Sequence, residues 1–196
     1  VETQTALSLP ASITLKINLT DEQFFQLCQD NDDLQFEHTA TGELIIMPPT
    51  GGNTSRRNLK IAAQLEIWNS KTKLGVAFDS NGGFKLPSGS ERAPDASWVR
   101  LERWNALTKE EQDRFVPLCP DFVVELRSPG DSLAKIQAKM QEYKENGAKL
   151  GWLIDPIRKV VEIYRIDREV EILQSPQTLS GESVLPGFIL DLSEIW

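Results

Sequence analysis

The sequence predicts an α/β (α+β) fold built on a mixed central β-sheet flanked by helices, and three observations carry that expectation. Apolar runs of strand type at 122–126 and 151–155 enclose a helical stretch opened by Asp131 or Ser132. Strand, helix and strand in that order make a right-handed crossover unit. Turn chemistry elsewhere, as in Pro156-Ile157-Arg158-Lys159 between 151–155 and 160–165, joins other strands as hairpins.

With 196 residues and 40% hydrophobic content, the chain can bury a sizeable core as one domain. Residues 1–47 are expected to form an accessory layer of strand, helix and hairpin, and residues 48–196 the core. The alternation over 13–19 predicts a strand, and Thr20-Asp21-Glu22-Gln23 is a capping box that opens a helix to about 29. A hairpin over 34–37 and 43–47 turns at Thr41-Gly42. After the breaker Pro48-Pro49-Thr50-Gly51-Gly52, Asn53 or Thr54 caps a helix to about 70, with Ile61, Leu65 and Trp68 as its apolar stripe.

The strands 76–78 and 84–86 read as a hairpin around Asn81-Gly82-Gly83, and Pro87-Ser88-Gly89 turns the chain toward a strand at 96–99. An insert over 101–120 contains a second capping box at Thr108-Lys109-Glu110-Glu111. The helix after Ser132 carries Leu133, Ile136, Met140 and Tyr143 on one stripe and stops at Gly147. Strands at 170–173 and 188–190 close the chain.

Composition excludes several function classes. Twenty-one basic residues against 29 acidic ones give a formal charge of -8, which argues against binding nucleic acid by general basic attraction and leaves only a local groove. Cys28 and Cys119 form no CxxC pair and are expected to be reduced and buried. His38 is the sole histidine, so a zinc ribbon or a histidine triad lacks its residues, and a place on the surface hairpin is expected for it. No apolar run of about eighteen residues predicts a membrane span. With no signal pattern at the N-terminus, a cytoplasmic location is expected.

The chemistry lies in Pro94-Asp95 and in Asp121-Phe122-Val123-Val124-Glu125-Leu126-Arg127. Proline favours extended backbone around Asp95, and alternation along 122–126 sends Glu125 and Arg127 to one face and Val124 and Leu126 to the other. Adjacent strands would bring the two carboxylates together, where they repel unless a cation joins them. Hard cations held by carboxylates stabilise the charge that develops in phosphodiester hydrolysis. The residues alone also permit a plain surface ion pair of Glu125 with Arg127 or a lysine.

The order Met47-Pro48-Pro49-Thr50-Gly51-Gly52, Ser90-Glu91-Arg92-Ala93-Pro94-Asp95, Cys119-Pro120-Asp121 through Arg127-Ser128-Pro129, and Trp152-Leu153-Ile154-Asp155-Pro156 resembles the PD-(D/E)xK nuclease superfamily. Within it the chain is similar to the Uma-two family of prokaryotic restriction endonucleases, over nearly its whole length. The resemblance implies a restriction-endonuclease-like core and a metal-dependent DNA endonuclease. Mg²⁺ or Mn²⁺ would be bound by Asp95, Glu125 and the backbone carbonyl of Leu126, DNA would be the substrate, and a homodimer would match the two-fold symmetry of a duplex.

The chain departs from the superfamily pattern at Arg127, which stands where the motif has lysine. Arginine stabilises phosphate charge but does not act as a base. Lys139, on the flank of the following helix, is the expected substitute for the motif lysine. Lys135, one turn earlier, and Glu66, on the preceding long helix, are weaker candidates and read more simply as surface residues. Trp104, Leu107 and Ile157 are candidate dimer contacts.

Overall fold

The structure, a computed structural model, describes residues 12–196. In chain order the elements are β1 (Ile13–Lys16), α1 (Asp21–Asp30), β2 (Gln35–His38), β3 (Glu43–Met47), α2 (Gly52–Thr72), β4 (Gly75–Phe78), β5 (Phe84–Lys85), β6 (Glu91–Arg92) and β7 (Ala96–Arg100). They continue as α3 (Leu101–Asn105), α4 (Lys109–Gln112), β8 (Phe122–Leu126), α5 (Leu133–Glu145), β9 (Leu150–Asp155), β10 (Val160–Arg165), β11 (Glu171–Gln174), β12 (Thr178–Ser180) and β13 (Ile189–Asp191). The mixed α+β class is as expected.

Six strands form the central sheet in the order β11-β10-β9-β8-β7-β4. Only β8 and β9 run parallel, with α5 connecting them, and the remaining neighbours are antiparallel. Every residue of β8 is buried because both sheet faces are covered. On one face, Ile61 and Leu65 of α2 pack with Trp98, Phe122, Val124, Trp152 and the C-terminal Phe188. On the other, Met140 and Tyr143 of α5 pack with Val123, Val99, Leu153 and Phe84.

Both capping boxes form, Thr20 with Gln23 and Thr108 with Glu111. The start of α2 differs from expectation: its N-cap is Gly51, and Thr54 lies inside the helix with its hydroxyl 2.9 Å from that of Ser128. At the end of α5, Gly147 adopts φ +102 just past the C-cap Asn146, a conformation glycine reaches without strain.

The expected hairpin of 76–78 with 84–86 does not form. β4 pairs with β7, while β5 pairs with β6 in a second sheet of order β1-β3-β2-β6-β5. Backbone partners decide this: Val116 of the insert donates to Gly83 and accepts from Lys85, which draws the chain out of the central sheet. The second sheet also joins residues on both sides of position 47, through β2 and β6. β13 pairs with β12, a strand of three residues, too short for its alternation to be read from the sequence. Trp104 and Leu107 pack against the α5-side core, so the fold uses them internally, whereas Ile157 is 54% exposed.

Candidate active site

The pairing of β7 with β8 stops at Ala96 opposite Val124, which leaves Asp95 beside the C-terminal end of β8. Its Oδ2 accepts the Leu126 N–H at 2.7 Å, and its Oδ1 accepts the side-chain amide of Asn58, on α2, at 2.7 Å. Both oxygens of Asp95 are thus oriented. An extended residue presents its N–H and C=O along the same strand edge, so the Leu126 carbonyl faces the β7 side as well.

Glu125 shares the α5 face of β8 with Val123. Lys139 meets it there, with Nζ 2.7 Å from Glu125 Oε1, 2.6 Å from Glu37 Oε1 and 3.3 Å from the carbonyl of Ala93. The three acceptors match the three protons of the ammonium. The Tyr143 hydroxyl donates to Glu125 Oε1 at 3.1 Å.

Arg127 takes another direction. Its Nη1 lies 2.8 Å from Asp155 Oδ2, and the rest of its guanidinium approaches the Asp131 carbonyl. The structure therefore brings Asp95, Glu125 and Lys139 together and ties Arg127 to the end of β9.

The hexapeptide 90–95 works residue by residue. Ser90 Oγ donates to Glu142 at 2.6 Å, and Glu91 holds His38 at 3.1 Å. Arg92 binds Glu37 at 3.0 Å and Glu142 at 2.6 Å. Ala93 gives its N–H to Glu37 and its carbonyl to Lys139. Alternation along an extended segment accounts for the two directions taken by Glu91 and Arg92.

Charge in this connected group is unbalanced. Four carboxylates, Glu37, Asp95, Glu125 and Glu142, face two cations, Arg92 and Lys139. Burial pushes the Glu125 carboxyl up to about 8, with the charges of Asp95 and Glu37 adding to it against the pull of Lys139. Burial also raises Asp95, against the Leu126 N–H, Lys139 and Asn58. Burial by itself would raise Glu37, but Lys139 and Arg92 outweigh it and hold that carboxyl below its usual range. Burial would likewise discharge Lys139, yet Glu125 and Glu37 keep it firmly protonated. Burial and the excess of negative charge thus push both Asp95 and Glu125 toward the neutral form when no cation joins them.

Among the described residues, no group of three or more His, Cys, Asp or Glu side chains is arranged to hold a metal. A pair of carboxylates with an excess of negative charge nevertheless fits Mg²⁺, which is commonly held by one or two carboxylates and completes its shell with water and substrate phosphate.

The remaining candidates fall outside the site. Lys135 is exposed, and Glu66 is an exposed residue bonded to Asn69 and Ser70 of its own helix. His38 is not a plain surface residue: its ring stacks on Phe24 at 5.7 Å and its side chain is 11% exposed. Cys119 is buried as expected, and Cys28 is half-buried. Sequence reasoning missed Glu37, Arg92, Asn58 and Tyr143. Arg92 lies within the motif Ser90-Glu91-Arg92-Ala93-Pro94-Asp95, but Glu37 and Asn58 reach the site only through long-range contacts.

Comparison with known proteins agrees with the motif order. The crystal structure of a "putative nuclease belonging to DUF820" from Anabaena variabilis superposes with a TM-score of 0.75 at 20% identity, covering 91% of this chain and 97% of that one. It shares the fold. No curated protein matches significantly. The family model Uma2, described as "Putative restriction endonuclease", matches residues 21–193, and this chain belongs to that family.

Proposed function

We propose that this protein is a divalent-metal-dependent DNA endonuclease with a restriction-endonuclease-like core. The observation that carries the reading is the Lys139 ammonium held 2.7 Å from Glu125, beside Asp95, at the ends of β7 and β8. An acid pair and a lysine converge there although the lysine comes from α5 and not from the strand.

In this reading Asp95, Glu125 and the Leu126 carbonyl hold Mg²⁺ or Mn²⁺. When bound, the ion supplies charge stabilisation at the phosphoryl oxygens and acidifies a water. Asn58 and the Leu126 N–H fix the Asp95 carboxylate in place. Lys139, kept protonated, would turn the proton now given to Glu125 toward the attacking water once that carboxylate faces the ion, and would offset charge developing on phosphate; it does not abstract a proton. Arg127, anchored by Asp155, adds fixed positive charge at the strand ends. Two chains related by a two-fold axis would match a duplex, with the exposed Ile157 turn as a candidate contact.

Plasmid DNA incubated with Mg²⁺ or Mn²⁺ tests this. Metal-dependent nicking is expected, falling at least about 100-fold in Asp95→Ala and Glu125→Ala. Cleavage that survives in both variants sinks the assignment.

A catalytically silent binding module is the second reading, favoured by the engagement of all three Lys139 protons and of Arg127. It predicts no thermal stabilisation by Mn²⁺ that depends on Asp95 and Glu125.

A further inference from the structure

We propose that Glu37 is a positioning residue that retains Lys139 when Glu125 turns to a metal ion; the inference rests on the endonuclease reading above. Lys139 is shared almost evenly between Glu125 Oε1 at 2.7 Å and Glu37 Oε1 at 2.6 Å. A divalent cation on Glu125 would weaken that carboxylate's hold on the ammonium and repel it directly. With Glu125 as its only carboxylate, the lysine would swing away from the reacting phosphate. Glu37 prevents this because it belongs to neither strand of the acid pair.

Glu37 is itself fixed from behind. Its Oε2 binds Arg92 at 3.0 Å, and its Oε1 accepts the Ala93 N–H at 3.2 Å. Arg92 is clamped by two contacts to Glu142, at 2.6 and 2.8 Å, and Glu142 by Ser90 at 2.6 Å. Glu37 and Arg92 are 3% and 8% exposed. Arg92 gives two N–H groups to Glu142 Oε2 and a third to Glu37 Oε2, so it makes no claim on the Glu37 oxygen that faces Lys139. The N-terminal sheet thereby contributes a residue to the site through β2.

A double-mutant cycle over Glu37→Gln and Lys139→Met tests the inference, read by Mn²⁺ affinity from electron paramagnetic resonance without DNA and by kcat and KM for plasmid nicking. In the wild-type background Glu37→Gln leaves Lys139 with Glu125 as its only carboxylate, in competition with the ion. The Mn²⁺ Kd is expected to rise about fivefold and kcat to fall about tenfold, with KM within about twofold. In the Lys139→Met background the same substitution is expected to change Mn²⁺ affinity by less than about twofold.

An equal loss in both backgrounds, or no loss in the wild type, overturns the inference. If Glu37→Gln does not fold, Glu37→Asp keeps a buried negative charge to balance Arg92 while shortening the reach to Lys139, and the same two outcomes decide. Wild-type protein without Asp95-dependent Mn²⁺ binding and nicking would instead overturn the endonuclease reading itself.

Discussion

Arg127 Nη1 lies 2.8 Å from Asp155 Oδ2 and ties the C-terminal end of β8 to that of β9. Asp155 is buried, and its other oxygen is taken by the N–H groups of Ile157 and Arg158. Removing the guanidinium leaves Oδ2 without its cation. Arg127→Met is expected to cost about 2–3 kcal/mol in urea unfolding, since Arg127 retains some solvent contact. Nicking per folded molecule should fall less than in Lys139→Met. The opposite order would move the essential cation from Lys139 to Arg127.

Asn58 donates to Asp95 Oδ1 at 2.7 Å. Asn58→Asp replaces that donor with a second carboxylate in the same pocket. Metal-free protein is expected to melt several degrees lower, as like charges oppose each other. Millimolar Mn²⁺ should recover most of that loss by binding the folded state. Calorimetry with and without Mn²⁺ checks this, and a melting point that stays low in Mn²⁺ speaks against a cation beside Asp95.

Gly151 lets α5 sit close on β9: a Cβ there would lie 2.6 Å from Met140 Cε and 3.2 Å from Val123 Cγ2. Gly151→Ala is expected to destabilise by about 1 kcal/mol or less, because the nearest atom is the end of the flexible Met140 side chain, which can swing aside. Because only the end of the Met140 side chain has to move, Lys139 keeps its place on α5 and nicking should change by less than about twofold. Met140→Leu in the same chain, which removes the atom that the Cβ meets, should recover part of the stability, as measured by urea unfolding; a loss that Met140→Leu leaves unchanged would place the strain elsewhere.

Asp121 is fully buried at the start of β8. Burial alone would raise its carboxyl, but the Arg100 N–H at 2.9 Å, Lys149 at 2.8 Å and Arg103 at 3.0 Å hold it below its usual value. A depressed folded-state value contributes stability above the unfolded value, near 3.9, and loses it as pH falls through the folded one. Wild-type stability should therefore decline below about pH 4. Asp121→Asn should be less stable at pH 7 and flatter across that acid range. Urea unfolding from pH 2 to 7 gives both curves, and parallel curves would remove Asp121 as the cause.

Much of this site is legible locally. Proline before Asp95 and alternation along 122–126 place two acids at strand ends, because backbone period and proline geometry act over a few residues. Lys139 follows from its place on the flank of the α5 stripe. The hairpin around Asn81-Gly82-Gly83 is different: its turn residues are real, with Gly82 N–H bonded to Asp79, yet Val116 competes successfully for the following backbone.

The sequence by itself determined the class of fold and the crossover from β8 through α5 to β9, since each depends on short-range periodicity and turn chemistry; that Asp95 and Glu125 act as a pair is implied by the resemblance to a nuclease family. Only the tertiary structure decided the partners of the cations. Arg127 went to Asp155, and Lys139 to Glu125 and Glu37, because buried charges pair with whatever opposite charge packing brings within reach, and that proximity joins β2, β8, α5 and β9 across long stretches of chain.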